Sequence, residues 1–218
     1  MAAGVFGIPI TRDTLIATGD YDDPTQEDIA DYAMMMINSN GSDIEAQQFV
    51  DNLKERYGNG ISTKCLIYNA TGITLNFADY HDWRGHVYET PYPSVIQNGQ
   101  WGAFLHVKPG GAARGSIGAV VYRSKRPNGS RDSCDWMFSW MIPFTGDNTV
   151  YTEIREQGHF PRYWDYIYDA KLTKSSRNST DWNYGYLSTT TIGEATTANA
   201  RAIFQLPHSK KAKVNSAL

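Results

Sequence analysis

The stretch NGQWGAFLHVKPGGAARGSIGAVVYR, residues 98–123, constrains the fold more than any other part of the chain. Two short apolar runs, WGAFLHV and SIGAVVY, flank a gap crowded with glycine and alanine. Apolar runs of this length bounded by turn signals have the size of strands rather than buried helices. Glycine inside a strand marks a place where another group closes on the backbone. The pattern repeats from residue 61 onward. TKCLIYN, ITLNFADY, DWMFSWMIPF, TVYTEIRE, YWDYIYD and NARAIFQL all read as strands, and RPNGSRD and TGDN as turns between strands. Short strands at this spacing predict a mainly β fold, a sandwich or barrel. The ATG between the first two predicts a hairpin.

Ahead of the strands the periodicity is helical. Residues 1–24 read as an irregular lead-in. A first helix is predicted over 26–38 with Thr25 as its cap. A second is predicted over 43–57, with a Ser42–Glu45 capping box and Gly58 as the stop. Ile44, Phe49, Val50 and Leu53 are assigned to one face, which docks on the β part. The Met34–Met36 run reads as gap-filling core. The chain thus divides into 1–60, a lead-in with two helices; 61–208, the β-sandwich; and 209–218, a basic flexible tail.

Charge and composition exclude several classes. The net charge is −3 and the pI about 5.9, which argues against nucleic acid as a partner. The N-terminus MAAGVFGIPITRD has no basic n-region, and no window approaches a membrane-spanning length. No transmembrane segment is expected, and the location expected is cytoplasmic, with a peripheral place on a membrane. Cys65 and Cys134 are expected to be free thiols. The glycosylation sequons at Asn40, Asn69, Asn128 and Asn178 read as chance matches.

No catalytic constellation emerges. His81, Asp82 and His86 are too sparse for a zinc site, so neither metal nor cofactor is expected. The nucleophile elbow, the phosphate loop and the dinucleotide fingerprint are all absent. The acidic pairs Asp79/Asp82 and Glu153/Glu156 read as solvated charges rather than glycosidase carboxylates. What stands out instead is aromatic content: 14 Tyr, 6 Trp and 8 Phe. Tyr and Trp suit surfaces that are half apolar and half wet.

In order, residues 62–207 resemble the actinoporins. IQNGQWGAFLHVKPGGAARGSIGAVVYR is similar to their central segment, CLIYNATGITLNFADY to their opening hairpin and WMFSWMIPF to their Phe-Ser-Val-Pro-Tyr segment. RYWDYIYD resembles their tyrosine-rich helical turn. Over nearly the whole chain, FVDNLKERYGNGISTKCLIYNATG and YHDWRGHVYETPYPSVIQNGQWGAFLHVK resemble the plant jasmonate-induced proteins of the 23-kDa type. That group shares a domain with nakanori, a fungal protein that recognises sphingomyelin together with cholesterol. The resemblance implies an actinoporin-like β-sandwich with N-terminal helices packed against it, and a defence or stress role without enzymatic chemistry.

It also implies a ligand site for a phosphocholine headgroup. Carried over by residue, Arg84 lies in the loop after the second strand, and Ala112 and Ala113 form a small-residue wall. Pro143 and Phe144 match a Pro-Tyr pair, while Tyr163 and Tyr168 match two clustered tyrosines. Trp83 replaces aromatic contact that is lost elsewhere, and Trp101 reads as a packed core residue. A quaternary ammonium wants aromatic faces, and a phosphate wants a guanidinium or hydroxyls. The chain departs from the actinoporins in three places. Two extra residues separate Ser139 from Pro143, the TGDNT loop has no exposed aromatic cluster, and the N-terminal helices are charged. The departures favour headgroup binding over pore formation. The alternative partner is a glycan, bound lectin-fashion by Asp79, Arg114, Tyr163 and Tyr168. A hydrolytic role has only the scattered acids behind it. The oligomeric state is left open.

Overall fold

The computed structural model of the chain describes residues 4–111, 113–127 and 129–207. Ala112, Asn128 and the tail from His208 onward therefore lie outside the described residues. Among the described residues, twelve strands form two sheets, as the sandwich reading requires. The first sheet runs β1 (Val5–Phe6), β6 (Trp101–Val107), β2 (Ser62–Ala70), β12 (Thr197–Gln205), β11 (Tyr186–Ile192) and β10 (Asn178–Asn183). The short β4 (His86–Val87) also pairs with β6, and β12 lies parallel to β2. The second sheet is antiparallel and runs β5 (Val95–Ile96), β3 (Leu75–Arg84), β7 (Ser116–Lys125), β8 (Ser133–Ile142) and β9 (Thr149–Glu156).

The predicted hairpin between β2 and β3 does not form, because these strands belong to opposite sheets. Both edges of β2 are occupied, by β6 and β12, so the chain must cross over at 71–74. Asn69 fastens the crossing. Its Nδ2 donates to the carbonyls of Ile73 and Ile96, both at 2.8 Å, and its Oδ1 accepts from the Thr71 amide and hydroxyl. Asn69 is fully buried, so this sequon offers no acceptor for a glycan.

The glycine-rich stretch is a second crossing, since β6 and β7 also lie in opposite sheets. Its glycines serve different neighbours. A Cβ on Gly102 would overlap the Ile96 side chain, and one on Gly115 would overlap the Ile142 carbonyl. A Cβ on Gly118 would sit 2.9 Å from Trp140 Cζ2, 3.2 Å from His106 Nε2 and 3.3 Å from Asp82 Oδ1. Gly110 and Gly111, by contrast, face open space. The bare strand positions therefore admit core side chains and a neighbouring backbone.

Alternation along the strands feeds more than one core. Cys65 and Ile67 of β2 point between the sheets, where they meet Trp136, Phe138, Trp140 and Phe204. Leu66 and Tyr68 point outward and pack with Trp101 and Ala103 under the N-terminal helices. Tyr68 Oη donates to the Ala33 carbonyl at 2.6 Å and Trp101 Nε1 to that of Ile37 at 3.1 Å, so the sheet grips the helical layer by its backbone. Trp101 is core, as read from the sequence.

The helices are α1 (Arg12–Thr18), α2 (Gln26–Met35) and α3 (Ser42–Tyr57). The lead-in is thus more ordered than expected: it contains α1, capped by a Thr11–Thr14 box, and strand β1. Thr25 caps α2 as predicted, through a reciprocal pair with Asp28. Gly58, at φ +76°, stops α3. The Ser42–Glu45 box does not form. Ser42 is already inside the first turn and donates to the Ser39 carbonyl. Ala46, Val50 and Leu53 form the buried face of α3, whereas Ile44 is 57% exposed. Ile44 lies about half a turn from that face at 100° per residue. Within the methionine run, Met34 and Met36 pack into the helical layer, but Met35 is exposed.

YWDYIYD is the other correction. It is helical, as the resemblance to a tyrosine-rich helical turn implies, and not the strand its pattern suggests: residues 160–174 form one irregular helical segment with a π turn at Ile167–Lys171. It lies across the outer face of the five-stranded sheet. The hairpin of β10 and β11, Thr-rich and turning at Tyr184–Gly185, went unread in the sequence.

Candidate functional site

The segment 160–174 is held at both ends by polar anchors. At its start, the Gly158 amide donates to Asp135 Oδ2 at 2.7 Å. Asp135 is 2% exposed and also takes a two-point pair from Arg123, at 2.6 and 2.9 Å. At its end, Thr149 Oγ1 donates to the Leu172 carbonyl at 2.8 Å and Ser175 Oγ to that of Val150. Between the anchors, Phe160, Trp164 and Ile167 pack on Ala119, Val121 and Met137 of the sheet.

An aromatic cluster fills the junction of this segment with β3. The Trp83 ring lies 5.9 Å from Trp164, edge to face, and 5.6 Å from Tyr168, tilted. His81 stacks on Trp164 at 5.1 Å. Burial pulls the His81 pKa below its ordinary value, against the opposing pull of Asp82, Asp165 and Asp79, so the ring is neutral at pH 7. The Trp83 indole N–H is buried with no hydrogen-bond acceptor among the described residues.

The expected site residues fall into three groups. Trp83 and Tyr168 are in contact. Arg84, Ala113, Pro143 and Phe144 converge on the same end of the five-stranded sheet, where Arg84 pairs with Ile117 and Ser116 with Ile142. Arg84 and Ala113 are exposed, Pro143 is half-buried and Phe144 is 58% exposed. Tyr163 stands apart at the start of the segment, stacked on His159 at 4.4 Å. Ala112 lies outside the described residues.

Trp164 and His81 were not anticipated as members of this cluster. Trp164 and Tyr168 are four residues apart, one face of a helix. The strand pattern of YWDYIYD hides that spacing, whereas the helical turn implied by the resemblance is compatible with it.

A second constellation has hydrolase residue types. His106 Nδ1 lies 2.8 Å from Ser116 Oγ, and its Nε2 lies 3.2 Å from Asp82 Oδ1. Burial depresses the His106 pKa below its ordinary value despite the hydrogen bond and charge of Asp82. A neutral ring beside an acceptor-only carboxylate carries its proton on Nε2. Ser116 therefore donates to Nδ1 and accepts from Thr63 at 2.8 Å. Thr63, Ser116 and His106 are fully buried, so the hydroxyl is closed to a substrate and Asp82 is the solvent-facing end. These residues come from four strands of both sheets, which is why no spacing in the sequence reveals them.

The model of the Nakanori-like protein family matches residues 6–207. The chain belongs to the Nakanori-like family. It is 67% identical over 211 residues to the 23 kDa jasmonate-induced protein of Hordeum vulgare, covering 95% of this chain and 100% of that one. A jasmonate-induced protein homolog of Atriplex canescens is 38% identical over 109 residues, 48% of this chain and 56% of the relative. The crystal structure of the lipid-binding protein Nakanori matches with a TM-score of 0.80 at 27% identity, over 92% of this chain and 99% of that one. The resemblance and the β-sandwich read from the sequence are both borne out. In this Nakanori-like chain no described helix is long and apolar enough to cross a membrane.

Proposed function

We propose that this chain is a stress-induced, non-enzymatic lipid-binding protein that meets membranes peripherally from the cytoplasm. It takes a phosphocholine-type headgroup on the aromatic face between β3 and the segment 160–174. The observation that carries the lipid reading is the likeness to the lipid-binding protein Nakanori, which extends over 92% of the chain. The kinship with jasmonate-induced proteins supports the stress role.

The headgroup assignment rests on chemistry. Trp83 and Tyr168 offer adjoining π faces for a quaternary ammonium. The exposed Arg84 makes no ion pair among the described residues, which leaves its guanidinium for a phosphate. Phe144, Tyr163 and Tyr166 are exposed and supply rings for the interfacial layer. The closed Ser116 hydroxyl supports a role without hydrolysis.

Co-sedimentation with vesicles of phosphatidylcholine, sphingomyelin and sphingomyelin–cholesterol tests the proposal, with a glycan array run on the same protein. Expected is pelleting that falls about tenfold in Tyr168→Ala and in the surface variant Arg84→Ala, both folded by circular dichroism. No pelleting with any vesicle, together with saturable glycan binding, would overturn the lipid reading in favour of the lectin. Pelleting indifferent to both variants would overturn the site.

A further inference from the structure

A second aromatic site lies on the other side of β3. His81 pairs with Ala119 and faces the helical segment, whereas Tyr80 and Asp82 pair with Val120 and Gly118 and face the sandwich. At the open edge there, Phe77, Tyr80, Asp82, His86, Pro91 and Tyr92 line a groove of about 450 Å³. Its walls are π faces. Tyr80 is 50% exposed and supplies the open face, whereas Tyr92 is only 8% exposed and forms the floor, stacked on Phe77 at 5.6 Å and 5.3 Å from Tyr80.

The groove carries one carboxylate, and nothing on its walls cancels it. No Lys or Arg lines it, and His86 is exposed at its margin. Asp82 accepts from Tyr92 Oη at 3.3 Å and from His106 Nε2 at 3.2 Å, and both donors are neutral. These bonds fix the carboxylate without removing its charge. The side chain keeps 21% of its surface in solvent. A small hydrated cation gains little from aromatic walls. A large, weakly hydrated organic cation gains from both the walls and the charge.

We propose that this groove binds a quaternary ammonium group, with Tyr80 against its methyl groups, the rim of Tyr92 beneath it and Asp82 as the counter-charge. The site is separate from the headgroup face and does not rest on that reading. The ammonium can come from a free amine or from a lipid headgroup.

The test is an NMR titration of the full chain with choline, read on the ring signals of Tyr80 and Tyr92. Saturable shifts are expected. The uncharged isostere, with carbon in place of nitrogen, binds about tenfold more weakly, and so does choline in Tyr80→Ala or Asp82→Asn. Tyr80 is half exposed, so its variant keeps the test alive if Asp82→Asn fails to fold. The indole signals of Trp83 and Trp164 report the headgroup face separately, so either proposal can fail alone. Equal affinity for choline and its isostere, or undiminished Tyr92 shifts in Tyr80→Ala, would overturn the inference. Phosphatidylcholine vesicles then assign the source. Pelleting reduced by Tyr80→Ala supports a lipid headgroup, and unchanged pelleting with choline binding lost supports a free amine.

Discussion

Gly118→Ala tests whether the bare backbone of residues 98–123 exists to admit the core. The new methyl would lie 2.9 Å from Trp140 Cζ2, and Trp140 is fully buried. A Cβ at that distance must displace its neighbour, and overpacking of this kind costs about 1–3 kcal/mol. The same methyl sits 3.2 Å from His106 Nε2 and 3.3 Å from Asp82 Oδ1, against the hydrogen bond between them. Contacts at these distances ask both groups to shift by a few tenths of an ångström, which strains that bond without breaking it. We expect about 2–3 kcal/mol in all, toward the upper end of that range, or a Tm lower by about 4–12 °C for a chain of this size. Gly110→Ala is the control, because its Cβ would meet nothing within 4 Å. Urea unfolding followed by tryptophan fluorescence compares the two, with the m-value as a check that the unfolded state is unchanged. If Gly118→Ala proves as mild as Gly110→Ala, the close-approach account of the stretch is wrong.

Three further outcomes follow from the polar anchors and buried groups. Asp135→Ala is expected to cost about 2–4 kcal/mol in chemical unfolding, and to loosen segment 160–174 in hydrogen exchange; the cost falls short of a fully buried pair because Arg123 keeps about a third of its surface in water. Stability is expected to fall as pH drops below 6.5, since His106 and His81 have depressed pKa values in the fold and the unfolded chain takes up their protons first. The loss continues down to the folded pKa values, at up to about 1.4 kcal/mol per pH unit for each ring, and His106→Gln removes its share of the slope in urea titrations. Cys65 and Cys134 are expected to react with a thiol reagent only after unfolding, because burial holds the first far above its ordinary pKa and pushes the second up to about 11.

Local signals in the sequence were read well where one element decided them. Thr25, Gly58 and the apolar runs of β6, β7 and β8 each carry their own instruction, and the structure follows it. Partnership between elements was not legible. β2 and β3 look like a hairpin because three residues separate their apolar runs, yet both edges of β2 are claimed by strands distant in the chain. YWDYIYD is rich enough in aromatic and β-branched residues to pass for a strand. Its helical form is decided by Phe160, Trp164 and Ile167 needing one face of a sheet. The candidate site was legible in part for the same reason. Trp83 and Tyr168 were named on a family resemblance, whereas Trp164, His81 and the Asp82 groove depend on which face of β3 each residue takes.

That question is decided by two irregularities in β3. Its pairing with β7 shifts between Phe77 and Asp79 and again between Asp82 and Arg84. In a regular strand Phe77 and Tyr80, three residues apart, would face opposite ways. The bulge at Ala78 turns both toward the sandwich, where they meet Tyr92. The bulge at Trp83 acts in the other direction. It lets Arg84 pair with Ile117, so that Trp83 and Arg84, which are neighbours in sequence, both reach the side of the helical segment. One strand thereby presents an aromatic groove with a carboxylate on one face and an aromatic pair with a guanidinium on the other. A period of two predicts neither arrangement, and each inserted residue accounts for one of them. The aromatic excess of this chain thus divides: much of it is core, and the remainder is aimed by two bulges at opposite charges on opposite faces.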